Sequence, residues 1–372
     1  MSKVLIAAGG TGGHVFPALA VAAVLRAQGH DVLWLGTRDR MEADVVPAAG
    51  YRFIGMQQQA LRGRNLLTLL AAPVRLTRSV WQARKLLKAE QVDLVLGFGG
   101  YTAGPAGVAA RLLGIPLVIH EQNAKPGLTN RWLHKIASKT LLGFAQAEAE
   151  LPGAVTVGNP VRAEIQALAE QPKGEHAGLH VLVVGGSLGA AHLNQTVPAA
   201  LADWSEAALM IRHQVGKGRE AEVEQAYASC PPTVQVEVSE FIQDMAAAYA
   251  WADVVIARAG ALTVAELACA GVPSILVPYP HAVDDHQALN AQVLVAAGAA
   301  VMIRQHDFSP TRISAELKLL SNQEDRLKGM ASAARNSAQL QATESIVAIC
   351  SEYLSAAKAH ANVVTAEQKT DD

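Results

Sequence analysis

Short apolar runs alternate along the chain with longer segments whose apolar residues recur every three or four positions. KVLIAA (3–8), DVLWLG (31–36), VDLVLGF (92–98) and IPLVIHE (115–121) are nearly continuous apolar runs. They read as parallel strands buried on both faces. Between them, PALAVAAVLRAQG and TAGPAGVAARLLG have helical periodicity and end in glycine, the residue that most readily takes the left-handed C-cap. The alternation restarts at His180 with HVLVVGG and continues through AALMIRHQ, VQVEVSEF, ADVVIAR and VPSILVP. Repeated strand–helix units imply an α/β chain with doubly wound parallel sheets. Two starts imply two Rossmann-like domains facing across a cleft, with the hinge near VGNPVRAE, where Asn159-Pro160 disfavours helix. The polar end, from about residue 357 to 372, is expected to be disordered.

Composition narrows the class. With 372 residues the chain is long enough for two full cores. Its three cysteines are widely spaced and fit neither a disulfide framework nor a zinc site, which points to a reducing compartment. The apolar run 4–8 is too short for a signal peptide, and nothing resembles a membrane-spanning helix, so a soluble or peripheral protein is expected. The net charge of −2 hides an asymmetry. Residues 1–160 carry 17 Lys and Arg against 9 Asp and Glu, and the remainder carries 14 against 24. The first half is therefore expected to meet an anion or an anionic surface.

The two starts share one design. VLIAAGGTGGH (4–14) and VLVVGGSLGAA (181–191) are each a strand, a glycine turn with a hydroxyl residue, and a helix start. Such turns let backbone N–H groups approach a phosphate. The dinucleotide fingerprint fails, because Val15 stands where a third glycine belongs after Gly10 and Gly12, and no G-K-S/T follows for a P-loop. Tight turns without a ligand are the competing reading for either loop alone. His14 closes the first turn and is a candidate general base, or a histidine donating to a nearby carbonyl. GFGGYTAGP (97–105) and IHEQNAKPG (119–127) place Gly99, Gly100, Tyr101, Glu121, Gln122 and Asn123 at further strand ends, where α/β folds bind ligands.

In the second half, Thr263 and Glu266 have capping-box spacing. The alternative is that Glu266 accepts from the hydroxyls of a ribose. HAVDDHQALNA (281–291) holds two histidines and two aspartates, but lacks a companion ligand cluster and reads better as a polar ligand loop than as a metal site. From 61 to 89 there are seven basic residues and no acid, interleaved with Leu66, Leu67, Leu69, Leu70, Val74, Leu76 and Trp81. The segment is either a membrane-surface patch, with Leu69, Leu70, Val74, Arg75, Arg78 and Trp81 at its centre, or an ordinary helix with a solvated basic face.

Taken in order over nearly the whole chain, GGTGGHVFPALA, GFGGYTAGP, HEQNAKPGLTN, VGNPVR, VLVVGGSLGA, EFIQDMAAAYAWADVVIARAGALTVAEL and DDHQALNA resemble the MurG family of bacterial peptidoglycan glycosyltransferases. That resemblance implies a GT-B fold. Its acceptor domain would span 1–159 plus about 340–356, and its donor domain 160–339. It implies transfer of N-acetylglucosamine from UDP-N-acetylglucosamine to the muramyl 4-hydroxyl of undecaprenyl-pyrophosphoryl-muramyl-pentapeptide, with inversion. The implied donor contacts are Ser187 and Arg162 at the diphosphate, the Ile242 backbone at uracil, and Ala261, Leu262, Thr263, Val264, Ala265 and Glu266 around the nucleoside. Gln287 and Asn123 would reach the sugar. Thr11, Gly12 and Gly13 would bind the donor while framing the acceptor side and reaction centre, and Gly99, Gly100 and Tyr101 would face the acceptor. Leu188 departs from the family, which usually has glutamine there. No Asp-x-Asp motif is present, so no metal and no other cofactor is expected. The implied setting is the cytoplasmic face of the bacterial inner membrane, with cell-wall and division proteins as partners and no nucleic acid. The rival readings are another UDP-sugar enzyme on the same fold, such as an epimerase, and a non-enzymatic, membrane-associated nucleotide-sugar binding protein that binds UDP-N-acetylglucosamine without turnover. The epimerase would need neither the basic apolar patch nor a lipid acceptor.

Overall fold

The computed structural model describes residues 1–372 except 58–65, 172–173, 175, 187–188 and 368–372; at 66–72 and 357–367 it describes the backbone alone. The chain divides into two compact units, one of residues 1–160 and 341–372, the other of 161–340.

Unit 1 begins with β1 (Lys3–Ala8), α1 (Gly12–Ala27), β2 (Asp31–Thr37), α2 (Glu42–Ala48) and β3 (Arg52–Met56). It continues through α3 (Leu66–Ala89), β4 (Leu94–Gly99), α4 (Ala103–Leu113), β5 (Leu117–Glu121), α5 (Leu128–His134), β6 (Lys139–Leu142) and β7 (Val155–Thr156). The strands form one parallel sheet in the order β3-β2-β1-β4-β5-β6-β7. Side chains alternate across a strand, and β1 uses both faces. Val4, Ile6 and Ala8 pack with α1, while Leu5 and Ala7 pack with α3 and α4. All five are fully buried, which explains the unbroken apolar run.

Unit 2 contains α6 (Ala163–Gln166), β8 (Leu179–Val184), α7 (Ala191–Leu201), β9 (Leu209–Gln214), α8 (Glu220–Tyr227), β10 (Val234–Ser239) and α9 (Met245–Trp251). After these come β11 (Val254–Ala257), α10 (Ala261–Ala270), β12 (Ser274–Leu276), α11 (His286–Ala296), β13 (Ala300–Met302), α12 (Pro310–Ser321) and α13 (Glu324–Asn336). Its parallel sheet runs β10-β9-β8-β11-β12-β13. Helix α12 starts where the sequence provides for it, with Ser309 Oγ accepting from Arg312 N and Pro310 opening the first turn.

The last helix, α14 (Ala342–Glu367), belongs to unit 1 and packs Ile346, Val347, Cys350 and Leu354 onto the same face of the sheet as α1. Its backbone stays helical to Glu367, which corrects the expectation of disorder from residue 357; residues 368–372 lie outside the described residues. Polarity alone misread this stretch, because AAKAHANVVTAE is rich in strong helix formers that extend a helix already anchored by packing.

In each sheet the strand order reverses beside the first strand, between β1 and β4 in unit 1 and between β8 and β11 in unit 2. At such a point successive loops leave toward opposite faces and open a crevice at the strand C-termini. The glycine turns that follow β1, β4 and β8 begin there.

Ile346 is fully buried between α14 and the sheet. Ile346→Ala should lower stability in chemical denaturation by about 2–5 kcal/mol, the usual cost of a buried Ile cavity. A loss below ~0.5 kcal/mol would show that α14 is not held by this contact.

Candidate active site

In unit 1 the turn after β1 is built on a carboxylate that sequence reasoning did not find. Glu42, at the start of α2, is fully buried and accepts from Gly10 N at 3.1 and 3.2 Å and from Thr37 N at 3.0 Å. A Cβ on Gly9 would strike that carboxylate, and a Cβ on Gly100 would strike the Gly9 carbonyl. Gly10 and Gly100 have φ of 95° and 83°, so both turns need glycine for conformation or for space. The chain spends glycine here to press the β1 and β4 turns together.

His14 lies in the first turn of α1, and its Nδ1 is 3.1 Å from the Gly9 carbonyl. A carbonyl accepts, so Nδ1 carries the proton and the lone pair is on Nε2. Nε2 faces the β4 turn, where a Cβ on Gly99 would come within 3.3 Å of it. The structure thus brings Thr11, Gly12, Gly13, His14, Gly99 and Gly100 into one locus. Tyr101 points its hydroxyl to Ser79 Oγ of α3, at 3.1 Å.

Asn123 is set by a second buried carboxylate. Glu121, at the end of β5, accepts from Asn123 N, Asn123 Nδ2, Gly127 N and Asn130 Nδ2 at 2.9–3.2 Å. Behind it, His120 donates from Nε2 to the Gly158 carbonyl at 2.9 Å, and its Nδ1 accepts from Gln122 Nε2 at 3.1 Å. Complete burial holds the His120 pKa down at about 4, against a hydrogen bond to Gly158 that raises it. Asn159 donates to the Gln122 carbonyl, so the 158–159 segment is bolted to the β5 turn.

In unit 2 the candidate residues gather around α10, whose N-cap is Gly260. Ala261, Leu262, Thr263, Val264 and Ala265 form its first turns, and no side chain caps it. The capping-box alternative fails for a physical reason. The helix starts at Ala261, so Thr263 is already inside it and Glu266 is too far along to reach the cap. Instead the Glu266 carboxylate accepts from Arg162 Nη2 at 3.2 Å and from the Tyr249 hydroxyl at 3.0 Å. Desolvation raises the pKa of Glu266, opposed by the Arg162 charge. Tyr249, fully buried on α9, is a site residue the sequence did not single out.

Around this centre, Gln214 Nε2 donates to the carbonyls of Gly186 (3.1 Å) and Glu240 (2.8 Å), tying the β8 turn to the strand end that leads to Ile242. Ser187 and Leu188 lie outside the described residues. Gln287 Oε1 accepts from Tyr279 N at 2.8 Å, which holds the 279–287 loop. Arg258, also missed in the sequence, supports that loop through the Val277 and Pro278 carbonyls and Gln305 Oε1. The 281–286 histidines and aspartates do not converge: Asp285 pairs with Arg304 at 2.7 Å, and His286 Nδ1 donates to the Val283 carbonyl.

Comparison with known proteins settles the class. Residues 4–142 match the glycosyltransferase family 28 N-terminal domain and residues 180–346 its C-terminal domain. A Shewanella baltica (strain OS185) protein named UDP-N-acetylglucosamine–N-acetylmuramyl-(pentapeptide) pyrophosphoryl-undecaprenol N-acetylglucosamine transferase is 51% identical over 94% of this chain and 96% of its own. A Methylococcus capsulatus protein of the same name is 48% identical over 94% and 98%. The crystal structure of Acinetobacter baumannii MurG superposes with a TM-score of 0.80 at 40% identity, covering 95% of this chain and all of that one.

The chain belongs to the MurG family. It is a glycosyltransferase with the two-domain GT-B fold of that family. Fold alone does not select transfer, since a putative UDP-N-acetylglucosamine 2-epimerase from Listeria monocytogenes has the same fold at a TM-score of 0.65 and 16% identity. The choice of MurG over an epimerase comes from identity along the whole chain.

His120 gives a pH prediction. Its folded pKa, about 4, lies below the ordinary 6.5, so between these values the unfolded chain binds a proton that the folded chain does not. Stability should therefore fall as pH drops from 6.5 to 4, by about 3 kcal/mol from this group. Denaturation at stepped pH should give a shallower slope for His120→Gln than for the parent; equal slopes would contradict the assignment.

Proposed function

We propose that this chain moves N-acetylglucosamine from UDP-N-acetylglucosamine to the 4-hydroxyl of lipid-linked muramyl-pentapeptide, giving a β-1,4 bond and UDP. The observation that carries this reading is the full-length identity of about one half to transferases of that name. The acceptor oxygen attacks the anomeric carbon as the bond from that carbon to the diphosphate breaks, so the α-linked donor yields a β-linked product. His14 Nε2 takes the hydroxyl proton, and the Gly9 carbonyl stabilises the imidazolium through Nδ1–H. Arg162 and the N-terminus of α10 meet the charge on departing UDP, so the reading requires neither a metal nor another cofactor.

On the donor side, Glu266 accepts from the ribose hydroxyls, and Arg162 exchanges this carboxylate for the diphosphate. Ser187 lies at the diphosphate, Ile242 at uracil, and Gln287 and Asn123 at the sugar. Thr11, Gly12, Gly13, Gly99, Gly100 and Tyr101 frame the lipid-linked pyrophosphate, whose charge suits backbone N–H groups.

The enzyme works as a peripheral protein on the cytoplasmic face of the inner membrane, where its acceptor is embedded. Among the described residues no helix is long and apolar enough to cross a membrane. Helix α3 buries Ser79, Ala83 and Leu87, and exposes Val74, Leu76 and Trp81 (44–72%) together with Arg78 and Lys85. Arg75 is half-buried, and the side chains of Leu69 and Leu70 lie outside the described residues. Apolar side chains interleaved with cations suit an anionic bilayer surface.

Three measurements test this reading. UDP release should depend on the lipid-linked acceptor and persist in excess chelator, and His14→Ala should lower kcat by about 10²–10⁴. Release without acceptor would favour hydrolysis or epimerisation. Glu266→Gln should raise the donor KM by about ten- to a hundredfold, the loss of a charge-assisted hydrogen bond, with a smaller change in kcat. An unchanged donor KM would remove Glu266 from the ribose site. Arg75→Glu, Arg78→Glu and Lys85→Glu combined should weaken sedimentation with anionic vesicles at least tenfold, since each basic residue contributes about 1 kcal/mol at such a surface. Undiminished binding would reduce α3 to an ordinary solvated helix.

A further inference from the structure

His176, His180 and Asp253 form a cluster that the transfer reaction does not use. One potential ligand atom from each lies within 4.8 Å of the others, the one set of three such residues among the described residues. His180 is the second residue of β8, and Asp253 immediately precedes β11. The cluster thus sits at the N-terminal ends of these strands, opposite the ends that carry the glycine turns.

The donor chemistry is that of a transition-metal site. His176 Nε2 and Asp253 Oδ1 are 3.4 Å apart, close to the edge of a tetrahedron of donors about 2.1 Å from a zinc ion. His180 Nδ1 is 3.2 Å from the Trp251 carbonyl. A proton on Nδ1 assigns the ring's lone pair to Nε2, the outer hydrogen bond by which metal-binding histidines fix their tautomer. Asp253 Oδ2 accepts from His180 N at 2.8 Å, so the carboxylate is already oriented. Two imidazoles and one carboxylate suit zinc, cobalt or nickel rather than calcium or magnesium, which take all-oxygen sets.

One feature of the geometry has to change for an ion to bind. The two imidazoles stack with centroids 3.6 Å apart and planes 3° from parallel. An ion lies in the plane of each ring that ligates it, and parallel stacked rings share no such point. His180 is also stacked on Trp251, at 4.6 Å, whereas His176 is the exposed member and lies in the stretch before β8. We propose that His176, His180 and Asp253 bind one zinc-class divalent ion, His176 turning about its Cβ–Cγ bond out of the stack, with water completing the coordination. The ion staples the segment before β8 to the start of β11 and acts on the stability of unit 2.

Calorimetric titration of the full chain with Zn²⁺, and visible spectroscopy with Co²⁺, test this. His176→Ala is the test variant. His306→Ala is the control, because His306 is exposed and lies 3.1 Å from Asp307 Oδ2 without a second imidazole nearby in that pair. The parent and His306→Ala should take up one ion per chain, show a tetrahedral Co²⁺ spectrum, and unfold at higher temperature with Zn²⁺ than without. His176→Ala should lose at least tenfold in affinity, together with the Zn²⁺-dependent thermal shift. No uptake by the parent, or equal affinity in the parent and His176→Ala, would overturn the proposal. Metal binding is read out independently of transfer, so neither result bears on the glycosyltransferase reading.

Discussion

Burying a carboxylate costs several kcal/mol unless donors surround it, and the candidate site depends on how this chain satisfies three of them. Glu42 fixes the β1 turn through Gly10 and Thr37, and Glu121 fixes the β5 turn through Asn123, Gly127 and Asn130. Among the described residues, Glu266 has Tyr249 and Arg162, both side chains, on its two oxygens. The two carboxylates of unit 1 are saturated largely by donors of the loops they shape, so they organise backbone. Glu266 is held by side chains, which in the proposed donor site yield to substrate hydroxyls.

Much of the fold was legible because parallel strands buried on both faces leave a plain apolar signature, and because glycine clusters marked the strand ends. The position of His14 at the mouth of the first glycine turn was legible as well, because it follows that turn directly in the sequence. Glu42 was not. Its partners are backbone N–H groups of Gly10 and Thr37, and a backbone group leaves no mark in a sequence. Tyr249 was hidden among the alanines of α9, and Arg258 acts through carbonyls of a distant loop. Thr263 and Glu266 misled in the opposite sense. Their spacing is that of a cap, but whether it forms depends on where α10 begins, and Gly260 takes that position.

The charge asymmetry of the sequence acquires a location in the structure. Arg78, Arg84, Lys85 and Lys88 of α3 face solvent beside exposed Val74, Leu76 and Trp81, while its apolar stripe enters the core of unit 1 through Ala83 and Leu87. A 24-residue helix has enough turns to bury one face and present another, so burial of Ala83 and Leu87 leaves the exposed face available for the proposed membrane contact. The glycine turns gather the polar chemistry at the switch points, and α3 supplies a surface suited to the membrane that holds the proposed acceptor.

The most direct test of the central claim is to identify the product. Purified protein would be incubated with UDP-N-acetylglucosamine and a lipid-linked muramyl-pentapeptide, and the extracted lipid examined by mass spectrometry and NMR. The account predicts a product heavier by one N-acetylhexosamine residue, β-linked at the muramyl 4-position, formed with one UDP per sugar transferred. An α-linked product, or UDP appearing while the acceptor lipid stays unchanged, would contradict it.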